Sequence, residues 1–76
     1  MNRVRFLIAE NLPQNGGRVN TDVLINDVLN DLSSIGSFLD SEAVKATLYD
    51  LNERQYVVVF NDGTTALTQY GLRMLG

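Results

Sequence analysis

The chain has 76 residues, of which 45% are hydrophobic and 20% charged, and its formal net charge is −3. These values predict one globular domain over residues 1–76, because so short a chain buries only about 60% of its unfolded surface and cannot support two cores. The sequence contains no cysteine and no histidine. Disulfides, zinc-thiolate sites, thiol nucleophiles and the usual general base near neutral pH are therefore excluded. We expect no enzymatic activity, no catalytic residue, no metal site and no cofactor.

The apolar segments are short. Residues 57–60 form one of the longest uninterrupted apolar runs, far below the ~20 residues that a membrane-spanning helix requires. Near the start, Glu10 and Asn11 interrupt the apolar stretch before a signal-peptide core could form. We therefore expect a cytoplasmic protein without membrane contact.

The net negative charge is opposite to that of a general nucleic-acid binder, whose affinity comes largely from Lys and Arg.

The first quarter of the chain predicts one regular element, whose type is ambiguous, and one loop. Residues 2–12 carry apolar side chains at helical spacing and end at a proline, which predicts a helix. Apolar residues also alternate within this stretch, so a strand stays open as the alternative. Residues 13–20 contain an Asn-Gly-Gly sequence and predict a loop, in which residues 18–20 are expected to add a short edge strand.

A second helix is predicted to follow, capped by Asn20 or Thr21. Its apolar stripe is Leu24 or Ile25, Val28, Leu29 and Leu32, and its polar face holds Asn26, Asp27, Asn30 and Asp31. The two aspartates lie one turn apart, but without a further ligand they are interpreted as solvated surface rather than as a cation site. Residues 33–40 break the helical period and predict a turn, in which Ile35, Phe38 and Leu39 are expected to return to the core.

The second half of the chain predicts a helix, a hairpin and a last helix. The third helix covers residues 41–55, is capped by Asp40 or Ser41, and has an apolar stripe of Val44, Leu48 and Leu51. Residues 56–68 predict a β-hairpin with strands over residues 56–60 and 65–68 and a tight turn over residues 61–64. Thr68 is expected to cap a short final helix over residues 69–75, whose apolar side chains either close the core or form a dimer contact.

This order of helix, short strand, helix, helix, hairpin and short helix resembles the winged helix-turn-helix superfamily. The resemblance is strongest over residues 38–75. There, a helix of recognition type is followed by the charged exit Asn52-Glu53-Arg54, by the pair Tyr56-Val57, and after the hairpin by Leu-Thr, two variable residues and Gly71. The resemblance implies an α+β fold with three helices, a small antiparallel β-hairpin wing and a short C-terminal helix.

The resemblance also implies a function. Members of this family that bind duplex DNA place the third helix in the major groove and the wing against the backbone, so a transcriptional regulator acting as a homodimer is expected. Duplex DNA would contact helix 41–55 and hairpin 56–68. The implied DNA-binding residues are Ser41, Lys45, Tyr49 and Arg54 at the helix and Gly63, Thr64 and Thr65 at the hairpin.

The charges of these two elements favour an alternative. Glu42 and Asp50 lie on the presumed recognition face, and the hairpin carries Asp62 but no Lys or Arg. The alternative is an acidic protein-protein interaction module on the same fold, such as a phage-type adaptor or an inhibitor of a nucleic-acid-processing complex. The arrangement of the cations discriminates between the two, because convergence beside the third helix favours DNA and scatter favours a protein partner. These cations are Arg3, Arg5, Arg18, Lys45 and Arg54.

Overall fold

A computed structural model of the chain describes residues 3–75. Within them the fold is α+β, with four helices and a three-stranded antiparallel sheet. The elements in chain order are α1 (Arg3–Glu10), β1 (Val19–Asn20), α2 (Thr21–Ser34), α3 (Ser41–Glu53), β2 (Val57–Val59), β3 (Thr64–Leu67) and α4 (Gln69–Leu75). Across this described part, no helix combines the length and apolar character that crossing a membrane would require.

The first element is a helix, which settles the choice between helix and strand for residues 3–10. Val4 and Ile8, one helical turn apart, are both buried, whereas Phe6 between them is 38% exposed. A strand would have placed all three side chains on one face. Residue 2 of the predicted helix lies outside the described residues, and the chain turns at residues 11 and 12 before the proline.

The core lies between the three longer helices and one face of the sheet. α1, α2 and α3 contact one another, and α3 also packs against β2. The predicted stripes of α2 and α3 face the core: both Leu24 and Ile25 are buried, whereas Leu29 is half-buried against the core cluster. The buried cluster consists of Val4, Ile8, Leu12, Leu24, Ile25, Val28, Leu32, Val44, Leu48, Leu51, Val57 and Leu67.

The connection between α2 and α3 differs from the prediction. Ile35, Phe38 and Leu39 were expected in the core, but they are 52%, 80% and 43% exposed. α2 continues through Ser34 and ends where Gly36 adopts a left-handed conformation (φ 78°), with the Ser37 N–H donating to the Leu32 carbonyl. This C-terminal motif turns the chain away from the helix axis. Leu32 near the end of α2 and Val44 near the start of α3 are buried, whereas the apolar residues of the turn between them project into solvent.

α3 is capped by Asp40, whose carboxylate accepts the Ala43 N–H, and it ends at Glu53 rather than near Gln55. The same C-terminal motif closes it, since the Tyr56 N–H donates to the Leu51 carbonyl over 2.9 Å. The left-handed position of this motif is usually glycine, but here it is Gln55 (φ 65°). A residue with a Cβ in this conformation costs roughly 1–2 kcal/mol.

We therefore expect Gln55→Gly to raise the free energy of unfolding by about 0.5–1 kcal/mol, because relief of the left-handed strain exceeds the added chain entropy of glycine. Urea unfolding followed by circular dichroism measures the change. Ala46→Gly, at an exposed position in the middle of α3, is the control and should lower stability by about 1 kcal/mol. A loss of stability in Gln55→Gly would contradict the claim that the backbone at residue 55 is strained.

The hairpin is anchored to the helical body by β1. The strand order is β1-β3-β2, so the predicted edge strand is confirmed over Val19–Asn20 and β3 lies in the centre of the sheet. Asn20 pairs with Thr64, and the Thr21 N–H donates to the Gly63 carbonyl over 2.8 Å. Because Asn20 also caps α2 through its side chain, the hairpin tip is fixed to the start of that helix.

The hairpin turn is a three-residue loop. The Gly63 N–H donates to the Phe60 carbonyl, the Phe60 N–H donates to the Thr64 carbonyl, and Gly63 has a φ of 85°. This arrangement matches a hairpin with glycine at the bulge position. The predicted turn is confirmed, but Thr64 already belongs to β3, which runs from Thr64 to Leu67.

Thr68 links α4 to the end of α3. Its hydroxyl accepts the Gly71 N–H over 2.9 Å, which confirms the predicted cap of the last helix. The same hydroxyl lies 2.7 Å from the Gln55 carbonyl oxygen and 3.0 Å from that of Tyr56, and it donates to this pair. Gly71 packs directly against the Tyr56 carbonyl. The Leu-Thr-x-x-Gly sequence therefore fixes the start of α4 against the end of α3.

Candidate functional site

The exposed face of α3 brings together three of the residues predicted to bind DNA. Ser41, Lys45 and Tyr49 follow one another at four-residue spacing and so form one ridge of the helix. Tyr49 is 52% exposed. Glu53 continues the ridge at the same spacing and Glu42 lies next to it, and both are exposed.

Lys45 is paired with one of these acids. Its ammonium nitrogen lies 3.9 Å from a Glu42 carboxylate oxygen, one helical turn away. An exposed pair at this distance contributes little to stability, but it places a negative charge next to the cation that would have to meet a phosphate. The positive charge of the ridge is therefore balanced locally.

Arg54 lies at the exit of α3, where it shares a carboxylate with an arginine of α1. Asp50 Oδ2 accepts Arg54 Nε over 3.0 Å and Arg5 Nη2 over 2.9 Å. The two guanidinium groups thus converge on one oxygen, and the aspartate neutralises one of their two charges. This ion-pair cluster ties the start of α1 to the last turns of α3.

Arg18, which lies outside the hairpin segment, places a cation against the hairpin. The Arg18 guanidinium carbon lies 3.6 Å from the centre of the Phe60 ring, and Arg18 Nη1 lies 3.4 Å from Asp62 Oδ2. The first contact has the geometry of a cation–π interaction. The contact of Arg18 with the hairpin was not predicted from the sequence. The predicted edge strand at residues 18–20 could have indicated it. Asp62 balances the charge that Arg18 brings.

Asp62 remains ionised at neutral pH. The Thr64 hydroxyl donates to Asp62 Oδ1 over 2.6 Å, and the Thr64 N–H donates to the same oxygen over 3.1 Å. These hydrogen bonds, with the nearby Arg18 charge, hold the pKa of the Asp62 carboxyl below its usual value despite partial desolvation. The hairpin tip therefore presents a carboxylate.

The predicted phosphate donors of the hairpin are already engaged within the protein. Thr65 is fully buried, and its hydroxyl lies 2.8 Å from the Thr21 hydroxyl. The Thr64 hydroxyl and N–H both donate to Asp62. The Gly63 N–H donates to the Phe60 carbonyl. Contact between any of these groups and a phosphate would require an existing hydrogen bond to be exchanged.

Four of the five cations form ion pairs with carboxylates. Arg5 and Arg54 meet at Asp50, Lys45 lies beside Glu42, and Arg18 lies at the hairpin beside Asp62; Arg3 is exposed in the first turn of α1. Within residues 3–75, the four paired cations around α3 and the hairpin thus belong to three ion-pair groups, each of which contains a carboxylate.

A further surface consists of the exposed apolar residues of the α2–α3 connection. We call Ile35, Phe38 and Leu39 the turn surface. Phe38 is the most exposed of the large apolar side chains in the described part of the chain, at 80%. Sequence reasoning assigned these residues to the core and so missed them as a candidate site.

A cleft of about 290 Å³ lies between the loop after α1 and the start of α4. Its lining residues are Gln14, Asn15, Gly16, Leu67, Thr68, Gln69, Leu72 and Arg73. This lining contains amides, one hydroxyl and one guanidinium but no carboxylate, so the cleft holds no acid-base pair. The residues that the structure describes contain no group of three acidic or metal-ligating side chains placed to hold a metal ion.

Comparison with known proteins found no matching family model, no matching curated protein and no matching solved structure.

Proposed function

We propose that the chain is a non-enzymatic interaction module on a winged-helix-like fold and that it binds a protein partner through an acidic surface. The order of the elements and the three-stranded sheet are compatible with a small winged-helix fold. One observation carries the choice of partner: the cations at α3 and at the hairpin each lie beside a carboxylate.

The carboxylate beside each of these cations opposes phosphate binding. Duplex DNA is bound largely through Lys and Arg that displace the counterions of the phosphates. A phosphate that approached Lys45 on α3 would also approach Glu42, and one that approached Arg18 at the hairpin would also approach Asp62. The attraction and the repulsion are of similar size at these short separations. A protein with basic side chains would instead benefit from the carboxylates.

Duplex DNA is the second candidate, in a transcriptional regulator of the winged-helix type. The alignment of Ser41, Lys45 and Tyr49 on one exposed ridge of α3 favours it, because such a ridge fits the major groove. Arg54 at the helix exit would then contact the backbone. In that case, a dimer would supply the second half-site contact.

A titration against random duplex DNA separates the two candidates. At ~50 mM salt, where a protein that contacts phosphates shows measurable affinity, we expect no saturable change in fluorescence anisotropy. The variant Glu42→Gln with Asp50→Asn removes two carboxylates that pair with Lys45, Arg5 and Arg54. Because it frees these cations, it should bind duplex more tightly than the wild type.

Saturable binding by the wild type, weakening steeply as salt is raised, would replace the proposed function by the second candidate. The melting temperature of the double variant serves as the folding control, and Asp27→Asn with Asp22→Asn is the matched charge control. Those two aspartates are exposed on α2, so their removal changes the net charge equally without freeing a cation of α3.

Protein binding is tested directly by photo-crosslinking in cells of the source organism. A benzoylphenylalanine in place of Ala46, which is exposed in the middle of α3, should give a discrete protein adduct. Glu42→Lys in the same chain reverses a charge on this face and should abolish the adduct. Adducts that contain only nucleic acid would contradict the proposed function.

A further inference from the structure

Hydrogen bonds lie at both ends of the turn surface. On the α2 side, the Ser37 N–H donates to the Leu32 carbonyl over 2.9 Å and Gly36 provides the left-handed residue. On the α3 side, the Asp40 carboxylate accepts the Ala43 N–H over 2.9 Å. The connection is therefore a short, capped turn between two helices.

The apolar character of the turn surface is concentrated. Three large apolar side chains within five residues are 43% to 80% exposed. Single exposed apolar residues are ordinary in proteins, whereas several that lie close together in the chain beside polar residues are typical of an interaction site. Phe38 is the most exposed of the three. An aromatic side chain that becomes buried in a complex is a typical anchor of a protein interface.

The charges near the turn surface are acidic. Asp40 and Glu42 lie at the start of α3, and Asp31 lies one turn before Ile35 on α2. The Asn11 side chain donates to Asp31 over 2.9 Å, so the end of α1 with Glu10 lies near this side of the molecule. Lys45 is the cation on the adjoining turn of α3, and it is paired with Glu42.

The arginine cluster lies at the opposite end of α3. Arg5 and Arg54 meet at Asp50, ten residues after the cap of this helix, and a helix rises about 1.5 Å per residue. The ion-pair cluster is therefore about 15 Å from the start of α3, beyond the screening length of roughly 8 Å at physiological salt. The acidic residues at the start of α3 are therefore separated from the arginine cluster.

We propose that the turn surface docks onto a partner protein whose apolar pocket accepts Phe38 and whose rim carries Lys and Arg. The proposal rests on the proposed function and specifies its site and the chemistry of its partner. A second copy of this chain does not fit as the occupant, because two-fold pairing of the turn surface would bring Asp40 and Glu42 of both copies together.

Peptides selected from random sequences test the chemistry of this partner. A phage-displayed library of random peptides is panned against the immobilised chain, with counter-selection against the Phe38→Ser variant. We expect enriched peptides in which aliphatic or aromatic residues lie beside Lys or Arg. In fluorescence anisotropy at low salt, synthetic copies should bind Phe38→Ser at least tenfold more weakly than the wild type, and binding should weaken as salt is raised.

Tyr70→Ser is the matched control, since Tyr70 is an aromatic residue on α4 with 48% exposure. It should leave peptide affinity unchanged. Phe38→Ser should melt at the wild-type temperature, because so exposed a side chain contributes little to the core. Enrichment of acidic peptides, equal binding to both chains, or wild-type self-association that Phe38→Ser removes would each overturn the proposal.

Failure of this proposal can be distinguished from failure of the proposed function. If the adduct at residue 46 persists in Phe38→Ser but disappears in Glu42→Lys, a protein partner binds α3 without the turn surface, and the docking proposal alone is overturned. If the wild type gives nucleic-acid adducts and binds duplex, the proposed function and the docking proposal fail together.

Discussion

Gly71→Ala is expected to lower the free energy of unfolding by about 3 kcal/mol, at the upper end of the range for overpacked positions. A Cβ built on Gly71 overlaps the carbonyl oxygen of Tyr56 and also approaches the Leu67 side chain. The Tyr56 carbonyl cannot move freely, because it accepts the Thr68 N–H and lies 3.0 Å from the Thr68 hydroxyl. Thermal unfolding should show a decrease in Tm of roughly 15 °C for a domain of this size.

Gly36→Ala is the matched control for this prediction. Gly36 has a positive φ, but a Cβ there meets nothing within 4 Å. Its substitution therefore costs only the left-handed backbone strain of about 1 kcal/mol. If Gly71→Ala were no more harmful than Gly36→Ala, the close packing of α4 on the Tyr56 carbonyl would be contradicted.

Local signals allowed most elements to be predicted from the sequence. Asn20 and Asp40 each cap a helix by accepting an N–H three residues later, and this preference depends only on neighbouring residues. The stripe of Val44, Leu48 and Leu51 likewise follows from helical geometry. The hairpin turn was recognisable because Gly63 accepts a positive φ.

The exposed turn between α2 and α3 was not predictable from hydrophobicity. Ile35, Phe38 and Leu39 resemble core residues in composition, because Ile, Phe and Leu are among the residue types most often buried. Whether a given apolar residue reaches the core depends on how many others already fill it and on the direction of the chain after a helix end. Here Gly36 sets that direction, and its effect extends over several residues.

The candidate site depended on contacts between distant parts of the chain. Arg5 and Asp50 are 45 residues apart in sequence, and Arg18 and Asp62 are 44 apart. No local pattern indicates these two pairs, whereas the pairs Glu42–Lys45 and Asp50–Arg54 follow from helical spacing. Thr65 illustrates the same limit, because it is buried by the pairing of β1 with the central strand.

Thr68→Val is the second substitution expected to have a large effect, with a loss of about 2 kcal/mol in the free energy of unfolding. The hydroxyl of Thr68 caps α4 by accepting the Gly71 N–H and donates to the carbonyls at the end of α3. Valine keeps the shape of the side chain but provides neither an acceptor nor a donor. A lost cap costs about 0.5–2 kcal/mol, and a buried N–H left without a partner costs about 1–3 kcal/mol.

Thr68→Ser keeps the hydroxyl and should retain most of the stability that Thr68→Val loses, which separates the hydrogen bonds from the packing of the methyl group. Urea unfolding measures both variants, and amide hydrogen exchange locates the effect. The Gly71 N–H should lose protection in Thr68→Val because its acceptor is the hydroxyl. Unchanged protection at Gly71 would mean that α4 is held by side-chain packing alone. Loss of protection there, with restoration by serine, would show that one hydroxyl joins α4 to the end of α3.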